Sequence, residues 1–338
     1  MNIKNNFSDI LTEKSSLFPN KIFCHKINGR EITFLELERY VNQCCRFFEE
    51  MGLVSGNIVT ISIPNSISFI IFYIAGIRSG IKINPCPSSL SEYELVKNIN
   101  FVECNLLITH QAIDSNLMPL NCFSLKFNND DHFLLKLESY SEQKFERDIC
   151  SDDVACIYYS SGTTGKAKCV LYSHKNMLSL TKSIVNDFKF IPDSIHLGVL
   201  PLGHTAITNY QLLPSLYAGS TLFLADNFNS VRQDIWKIIT DHSISYLQVV
   251  PTILFAMIAT PYDEEDVRAN RSLKYIGCGS APLSIESQKK FYKRFNMKVA
   301  NLYGLSETGP SHFDNPLLAN WEPGSIGYPL TVNDCKIF

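Results

Sequence analysis

The stretch that decides the fold is Tyr159–Lys168, which reads YSSGTTGKAK. Its two glycines let the backbone turn N–H groups toward a single anion, and its four serine and threonine hydroxyls add further donors. Its two lysines supply positive charge. Such a dense run of small hydroxyl residues with lysine favours a loop that holds phosphate groups, and a flexible surface hairpin is the alternative.

This loop does not fit the Walker A pattern, which requires glycine at position 160 and serine or threonine at position 167. The chain has Ser160 and Ala167 at these positions. The apolar run Cys169–Tyr172 also predicts a strand after the loop, whereas a Walker loop opens a helix. These differences exclude a P-loop kinase.

Strand-like and helical segments alternate downstream of Asp153. The predicted strands are Ala155–Tyr159, Cys169–Tyr172, Ile195–Leu200, Thr221–Leu224, Ser245–Val250, Tyr275–Cys278 and Lys298–Asn301. The predicted helices include Lys175–Phe188, Val231–His242 and Ser284–Phe295. This alternation predicts an α/β fold with a largely parallel sheet that helices cover on both faces.

The first third of the chain shows the same alternation. A capping box at Thr33 begins a helix that ends at Gly52, and Ser66 begins an apolar helix that ends at Gly80. The stretch Phe127–Asp148 is polar and weakly periodic, which predicts a surface connection. Two further strands are predicted at Ile58–Ile63 and Leu106–Thr109.

Four chemically unusual segments each follow a predicted strand. These segments are Ser160–Lys168, Pro201–His204, Gly279–Pro282 and Tyr303–Glu307. Ligands of open α/β sheets bind in the crevice beyond the carboxyl ends of the strands. We therefore expect the four segments to contribute to one shared site.

Composition excludes several classes of protein. The apolar fraction of 45% is that of a soluble globular chain, and the net charge of −3 argues against a nucleic-acid binder, which needs a basic face. The eleven cysteines include no C-x-x-C pair, so reduced thiols are expected rather than a zinc site. The amino terminus resembles no signal peptide, and the run Ile67–Ile77 is too short for a membrane span. We expect a cytoplasmic protein without a membrane span.

The segment YSSGTTGKAKCV resembles the phosphate loop Y-T-S-G-T-T-G-x-P-K-G-V of the adenylate-forming superfamily, which includes acyl-CoA synthetases, aryl-CoA ligases, luciferases and peptide-synthetase adenylation domains. Ala167 and Cys169 replace the usual proline and glycine. The segment Asn301–Gly309 is similar to N-x-Y-G-x-T-E, with Ser306 in place of threonine. Further similar segments are Thr33–Leu37, Gly52–Gly56, Ile63–Ser66, Gly80–Pro85, Gly279–Pro282 and Gly324–Pro329.

The resemblance implies which residues bind ATP and Mg²⁺. The implied nucleotide-binding residues are Ser160, Ser161, Gly162, Thr163, Thr164, Gly165, Lys168, Gly279, Ser280, Ala281, Pro282, Tyr303, Gly304 and Ser306. Tyr303 would stack on the adenine, and Glu307 with Thr164 would bind the metal ion. The implied catalytic residues are Thr163, Lys168, His204 and Glu307.

The resemblance also implies the reaction. The family activates a carboxylic acid with ATP to an acyl-adenylate, and the acyl group then passes to the thiol of coenzyme A or of a carrier-protein phosphopantetheine. His204 lies in a segment similar to the P-x-F-H of acyl- and aryl-CoA synthetases, with Gly203 replacing the aromatic residue. Peptide-synthetase domains carry an aspartate after this position, whereas this chain has Thr205–Ile207. A fatty or aryl acid is therefore expected rather than an amino acid.

The resemblance covers the large amino-terminal domain of this family. The implied arrangement is one AMP-binding domain over residues 1–338, with subdomains at roughly 1–190 and 191–320 and the beginning of an incomplete, barrel-like third part at 321–338. The family's small carboxy-terminal lid domain, which carries the adenylation lysine, has no counterpart, so we expect the chain to bind nucleotide better than it forms thioester. A non-catalytic nucleotide- or acyl-binding relative and an amino-acid adenylation domain stay open as alternatives.

Overall fold

The structure, a computed structural model, describes residue 7 and residues 9–160 and 168–336. The chain divides into two compact units. Unit 1 contains Met1–Lys26, Arg30–Leu178 and Pro201–Thr205. Unit 2 contains Ile27–Gly29, Ser179–Leu200 and Ala206–Phe338.

Unit 1 is built around a parallel-rich sheet. The strands that begin in the first half of the chain are β1 (Ile22–Lys26), β2 (Glu31–Thr33), β3 (Ile58–Ser62), β4 (Lys82–Pro85), β5 (Leu106–Thr109), β6 (Phe123–Lys126), β7 (Val154–Ser160) and β8 (Lys168–Ser173), and the last six of them form this sheet. The sheet has the order β6-β5-β3-β4-β7-β8, and all of its neighbouring strands are parallel except β7 and β8. Strands β1 and β2 form an antiparallel hairpin.

Two helices of unit 1 begin at the capping residues that the sequence predicts, Thr33 and Ser66. The helices of this unit are α1 (Asp9–Leu17), α2 (Phe34–Glu50), α3 (Ile67–Arg78), α4 (Glu92–Phe101) and α5 (Asp130–Leu137), and α6 (His174–Asp187) continues into unit 2. Thr33 and Glu36 form the capping box of α2, and the Ser66 hydroxyl accepts a hydrogen bond from the Phe69 N–H at the start of α3. All residues of α3 are buried, as expected for a helix that is apolar on every face.

Helix α5 corrects the expectation that Phe127–Asp148 is only a surface connection. The Asn129 side chain caps the helix, and the buried Phe133 ring lies 4.2 Å from the Phe72 ring of α3. The Asp130 carboxylate accepts hydrogen bonds from two backbone N–H groups at the start of α3, at 2.8 and 3.1 Å. The sequence hides this helix because only two turns of it carry apolar residues, within a charged stretch.

Unit 2 contains a second parallel-rich arrangement of strands. They are β9 (Ile195–Gly198), β10 (Thr221–Leu224), β11 (Tyr246–Val249), β12 (Tyr275–Gly279), β13 (Lys298–Leu305), β14 (Gly309–Phe313) and β15 (Tyr328–Pro329). They lie in the order β15-β14-β13-β12-β11-β9-β10. Strands β13, β12, β11, β9 and β10 are parallel to one another, whereas β14 is antiparallel to both β13 and β15. The parallel-rich α/β fold is confirmed, with the strands in two arrangements.

The remaining helices lie in unit 2, apart from residue 205, which belongs to unit 1. They depart from the sequence prediction at one place. They are α7 (Thr205–Ile207), a π-helical turn (Thr208–Leu212), α8 (Leu213–Ala218), α9 (Phe228–Val231), α10 (Ile235–Asp241), α11 (Pro251–Ala259), α12 (Glu264–Ala269) and α13 (Ile285–Phe295). The single helix predicted over Val231–His242 is two helices, α9 and α10. Phe228 and Val231 of α9 and Ile235 and Trp236 of α10 are all buried in one apolar cluster.

No helix in residues 9–160 or 168–336 combines the length and the apolar character that crossing a bilayer requires. The eleven cysteines all lie in these ranges, and each is a free thiol. The start of a third, barrel-like part at 321–338 stays a prediction.

A buried ion pair joins the first three helices of unit 1. The Arg78 guanidinium, at the end of α3, donates to both carboxylate oxygens of Glu38 on α2, at 3.0 and 2.7 Å. It also donates to the Asn42 amide oxygen at 2.6 Å and to the Thr12 hydroxyl of α1 at 3.2 Å. Arg78 is only 4% exposed, so its charge depends on these partners rather than on water.

We predict that Arg78→Ala lowers the free energy of unfolding by about 3–5 kcal/mol, because it leaves the Glu38 carboxylate buried without its partner. Urea unfolding followed by circular dichroism measures the change. Arg39→Ala, which removes the exposed ion pair with Glu142, is the matched control and should cost at most about 1 kcal/mol. Equal losses in the two variants would contradict the role assigned to the buried pair.

Candidate functional site

The segment YSSGTTGKAK joins two antiparallel strands of unit 1. Ser160, the last residue of β7, is paired with Lys168, the first residue of β8. This pairing confirms the strand predicted after the loop and with it the difference from a Walker A loop. The predicted phosphate-binding residues Ser161, Gly162, Thr163, Thr164 and Gly165 lie outside the described residues. Lys168 is exposed at the base of the hairpin.

Buried polar contacts support strand β7 behind the loop. The Tyr158 hydroxyl lies 2.9 Å from the Tyr73 hydroxyl of α3, and the Cys156 thiol donates to that Tyr73 hydroxyl at 3.1 Å. The Tyr158 ring also packs edge-on against Tyr172 of β8, with ring centroids 5.2 Å apart. Burial raises the pKa of Cys156 to about 12, so this thiol stays protonated and available as a donor.

The Pro201–His204 segment is held by a side chain and by the backbone of unit 1. The Leu202 N–H donates to the Asn65 side-chain oxygen at 2.7 Å. A Cβ atom at Gly203 would lie only 2.2 Å from the backbone carbonyl of Cys86, so no side chain fits at position 203. This contact explains why the chain has glycine where the resembled pattern has an aromatic residue.

His204 itself reaches the surface of unit 1. The protein atoms around its ring partly desolvate it, which lowers the pKa of the imidazole below its ordinary value. The ring is therefore neutral at pH 7 and offers one N–H donor and one nitrogen acceptor.

Strand pairing brings the His204 segment near the loop hairpin. Strand β4 lies parallel to β7, with Ile83 paired to Cys156. Continuing this register by three residues places Cys86, which contacts Gly203, opposite Tyr159. The His204 segment and the base of the hairpin therefore lie at the same edge of the unit 1 sheet.

Two site segments of unit 2 leave from neighbouring strands. Gly279, at the end of β12, is paired with Leu302 of β13, and a Cβ atom at Gly279 would lie 2.7 Å from the Leu302 carbonyl oxygen. Ser280 follows with a φ of +68°, a left-handed conformation that is uncommon outside glycine and clusters at functional sites. Ala281 and Pro282 are exposed.

Strand β13 extends beyond its predicted end, so Tyr303 and Gly304 lie within the strand rather than after it. Antiparallel pairing with β14 causes this extension. The Ser311 hydroxyl donates to the Tyr303 carbonyl oxygen at 3.1 Å, and the His312 ring packs against the Tyr303 ring with centroids 5.7 Å apart. The Tyr303 side chain remains 44% exposed.

A tight turn joins β13 to β14 and carries Ser306 and Glu307. The Leu305 N–H donates to the Thr308 hydroxyl at 3.1 Å, which closes the turn. Gly304 faces the Gly309 carbonyl, and a Cβ atom there would lie 2.4 Å from that oxygen. Glu307 is therefore presented at the exposed tip of a hairpin.

Residues 11–338 match the family described as AMP-binding enzyme. The chain belongs to this family. It is 28% identical over 298 residues to 4-coumarate-CoA ligase 1 of Narcissus pseudonarcissus, covering 83% of this chain and 53% of that protein. It is 25% identical to a long-chain-fatty-acid–CoA ligase of Bacillus subtilis, covering 97% of this chain and 65% of that protein. The chain spans about half the length of most of the curated relatives it matches.

The fold is similar to that of two crystal structures. ATP-bound MatB from Rhodopseudomonas palustris has a TM-score of 0.83 at 23% identity and covers 96% of this chain and 64% of MatB. The inhibitor-bound N-terminal domain of FACL13 from Mycobacterium tuberculosis has a TM-score of 0.84 at 21% identity and covers 96% of this chain and 82% of that domain. These findings confirm the resemblance to adenylate-forming enzymes and the fold class.

The residues that position the candidate site are not apparent from the sequence. Asn65 lies in a segment similar to the amino-terminal pattern of the family, but only the structure shows that its side chain accepts a hydrogen bond from the Leu202 N–H. The roles of Ser311 and Thr308 follow from the β13–β14 hairpin. A signal for this hairpin exists in Thr308-Gly309, since a hydroxyl residue followed by glycine favours a turn.

We predict that Gly203→Ala lowers the free energy of unfolding by roughly 1–3 kcal/mol, because the new methyl group overlaps the Cys86 backbone. Relieving this overlap requires a shift of the segment after β4 or of the segment that contains Gly203. Urea unfolding measures the loss. Ser89→Ala is the control, since it trims an exposed side chain near Cys86 and should change stability by less than about 0.5 kcal/mol. A Gly203→Ala protein as stable as this control would contradict the contact.

Asp314, which follows β14, generates a pH prediction. Burial raises the pKa of its carboxyl to about 6, while Trp321 and Lys298 oppose the rise. The folded state binds this proton more tightly than the unfolded state does. The contribution of the Asp314 carboxyl to the free energy of unfolding is therefore greatest at acidic pH, and it falls as the pH rises from about 4 to above 6.

Asp314→Asn should remove this dependence. We expect the variant to gain stability relative to the parent as the pH rises from 4.5 to 7.5, by on the order of 1–3 kcal/mol. Urea unfolding of both proteins at each pH measures the difference, in which groups common to both cancel. A difference that stays constant with pH would contradict the raised pKa.

Proposed function

We propose that this protein activates a carboxylic acid with ATP, forming an acyl-adenylate and pyrophosphate, and that a thiol then takes the acyl group. Membership in the AMP-binding enzyme family supports the first step, and relatives named as CoA ligases support the second. The observation that carries the proposal is the β7–β8 hairpin, because Ser160 and Lys168, which flank the predicted phosphate loop, are paired at the edge of a parallel-rich sheet. Coenzyme A or a carrier-protein phosphopantetheine supplies the thiol, and the cytoplasm is the proposed location.

We assign the nucleotide to the residues named from the resemblance. The phosphates contact Ser160, Ser161, Gly162, Thr163, Thr164, Gly165 and Lys168, and the adenosine contacts Gly279, Ser280, Ala281, Pro282, Tyr303, Gly304 and Ser306. Two features support the second group. Tyr303 presents an exposed aromatic ring, and Ser280, Ala281 and Pro282, which follow β12, are small residues exposed to solvent.

Glu307 fits a magnesium ion bound mainly by the nucleotide. Mg²⁺ takes oxygen ligands and commonly binds through one or two carboxylates together with phosphates and water. In the part of the chain that the structure describes, no group of three or more His, Cys, Asp or Glu residues forms a metal site by itself. One exposed carboxylate, with Thr164, suits an ion that arrives with ATP. When bound, it offsets the negative charge of the phosphates.

The chain's own residues then favour attack of the acid on the α-phosphorus. Lys168 and Thr163 hold the phosphates and stabilise the charge that develops as pyrophosphate leaves. The neutral His204 imidazole donates a hydrogen bond that orients the acid carboxylate. Because this ring carries no positive charge, it leaves the carboxylate more nucleophilic than a charged partner would.

A fatty or aryl acid is the proposed substrate. Ala206, Ile207 and Tyr210, which follow His204 in the chain, are at most 7% exposed, and Tyr210 lies in the π-helical turn. Such turns are frequent at functional sites because they shift a side chain out of the regular helical register. Residues 205–208 contain no acid that could pair with an ammonium group.

We predict that MgATP raises the melting temperature of the chain, because a ligand of the native state stabilises it. Lys168→Ala and Glu307→Gln should each raise the dissociation constant for MgATP at least about tenfold, since each loses a charge-assisted contact. Calorimetry measures binding. Lys175→Ala and Glu322→Gln, which change other exposed groups of the same charge, are the controls and should bind as the parent does.

Parent-like binding by both site variants would overturn the phosphate and metal assignments together. Binding of MgATP without pyrophosphate release, tested with a panel of acids on the full reading frame, would instead favour a non-catalytic relative.

We also predict that a decanoyl or cinnamoyl adenosine sulfamate binds at least about tenfold more tightly than the phenylalanyl analogue, because burying an unpaired ammonium group costs more than the roughly 1.4 kcal/mol that a tenfold difference requires. These unreactive analogues report acyl selectivity by calorimetry without turnover. AMP serves as the reference that measures the shared nucleotide contribution. Tighter binding of the aminoacyl analogue would favour an amino-acid adenylation domain.

A further inference from the structure

Two cysteines of unit 1 meet at the starts of neighbouring strands. Strands β5 and β6 are parallel, with Leu106 paired to Phe123, and the Phe123 N–H donates to the Asn105 carbonyl oxygen at 2.9 Å. This bond extends the ladder back by one residue, so Cys122 lies opposite Asn105 and diagonal to Cys104. Strands about 4.8 Å apart that rise about 3.3 Å per residue place these two Cα atoms about 6 Å apart, within the range of disulfides.

The two side chains point into the same apolar cluster. Cys104 is a buried member of the cluster with Ile99 and Leu107, and Cys122 packs against it. Glu103, with a φ of +55°, turns the chain just before Cys104, and the Cys104 N–H donates to the Ile99 carbonyl at 2.9 Å. In a regular strand, successive side chains point to opposite faces of the sheet, so Cys104 and Leu107 would lie on different faces. The irregular backbone at Glu103 instead places Cys104 on the face of Leu107, where Cys122 also packs.

The two thiols are held by neighbouring backbone carbonyl groups and influence each other's ionisation. The Cys104 thiol donates a hydrogen bond to the Leu106 carbonyl oxygen at 3.1 Å, and the Cys122 thiol donates one to the Phe123 carbonyl oxygen at 3.5 Å. Burial raises the pKa of Cys104, but the polar groups of Cys122, Thr60 and Leu106 outweigh it and lower the pKa, whereas Cys104 and burial raise the pKa of Cys122. The two thiols therefore titrate as a pair.

Exposure distinguishes the two sulfur atoms. Cys104 is 1% exposed, whereas Cys122 is partly exposed and is the sulfur that a small molecule reaches first. We propose that Cys104 and Cys122 form a redox-sensitive dithiol, which a small hydroperoxide converts into a disulfide. The proposal does not depend on the activity proposed above.

The reaction balances without any other reactant. The Cys122 thiol loses its proton to water, and its thiolate attacks the terminal peroxide oxygen. The O–O bond breaks, a sulfenic acid forms on Cys122, and the leaving oxygen takes up a proton from water to give an alcohol, or water from hydrogen peroxide. Cys104 then loses its proton and its thiolate attacks the Cys122 sulfur to form the S–S bond, and the hydroxide that leaves takes up that proton to become water.

The sequence makes the product easy to identify. Lys97 and Lys126 are consecutive cleavage sites for trypsin, so one peptide, residues 98–126, carries Cys104 and Cys122 and no other cysteine. After treatment of the native protein with hydrogen peroxide, denaturation and alkylation, we expect this peptide to lack both alkyl groups and to be lighter by two hydrogen atoms. Cleavage before Asp114 should leave its two halves joined until dithiothreitol separates them.

Matched variants complete the test. Cys122→Ser should abolish the cross-link and leave Cys104 alkylated, whereas Cys150→Ser, which removes an exposed cysteine outside the cluster, should leave the cross-link unchanged. Thermal melts of both reduced variants check that they fold. The proposal is overturned if peroxide oxidises Cys150 or Cys335 while residues 98–126 keep two alkylated thiols. It is also overturned if Cys104 joins Cys86, which trypsin places in a separate peptide.

Discussion

Backbone pairing between parallel strands is the constraint on which the candidate site depends. A parallel ladder fixes where each strand ends relative to its neighbour, so the segment after one strand has a defined position beside the next. In unit 1, β4 beside β7 brings Cys86 opposite Tyr159, and in unit 2, Gly279 beside Leu302 aligns two site segments. Side-chain chemistry is then placed by backbone geometry rather than by contacts between the functional groups themselves.

In the candidate site, backbone atoms provide close packing and side chains provide charge. Their glycines allow backbones to approach so closely that no Cβ atom fits, as at Gly279 against Leu302 and Gly304 against Gly309. The groups assigned to chemistry, Lys168 and Glu307, are exposed instead. Tight backbone packing thus fixes where each charged side chain leaves the main chain. Because these side chains are exposed, water solvates their charges until a ligand binds.

Local signals explain why much of the fold could be predicted from the sequence. The capping box at Thr33 and the N-cap at Ser66 specify helix starts through short-range hydrogen bonds, which need no knowledge of tertiary packing. Helix α5 escaped prediction because its apolar contacts, such as Phe133 with Phe72, are distant in sequence. The extension of β13 to Leu305 escaped for a similar reason, since the partner that extends it comes later in the chain. The segments to which we assign the chemistry are recognisable from their composition, whereas the residues that hold them, such as Asn65, become apparent only in three dimensions.

The contact between Gly203 and Cys86 has an asymmetric consequence for sequence drift. Cys86 takes part in this contact only through its backbone atoms, whereas the contact is possible at Gly203 only because glycine has no side chain. As far as the contact is concerned, position 86 can therefore exchange among small apolar residues that suit its buried surroundings, whereas position 203 has a single acceptable occupant. Diversification of this segment is then confined to the neighbours of Gly203, and variation in the proposed acid-binding wall arises from positions beyond His204 rather than from the residue immediately before it.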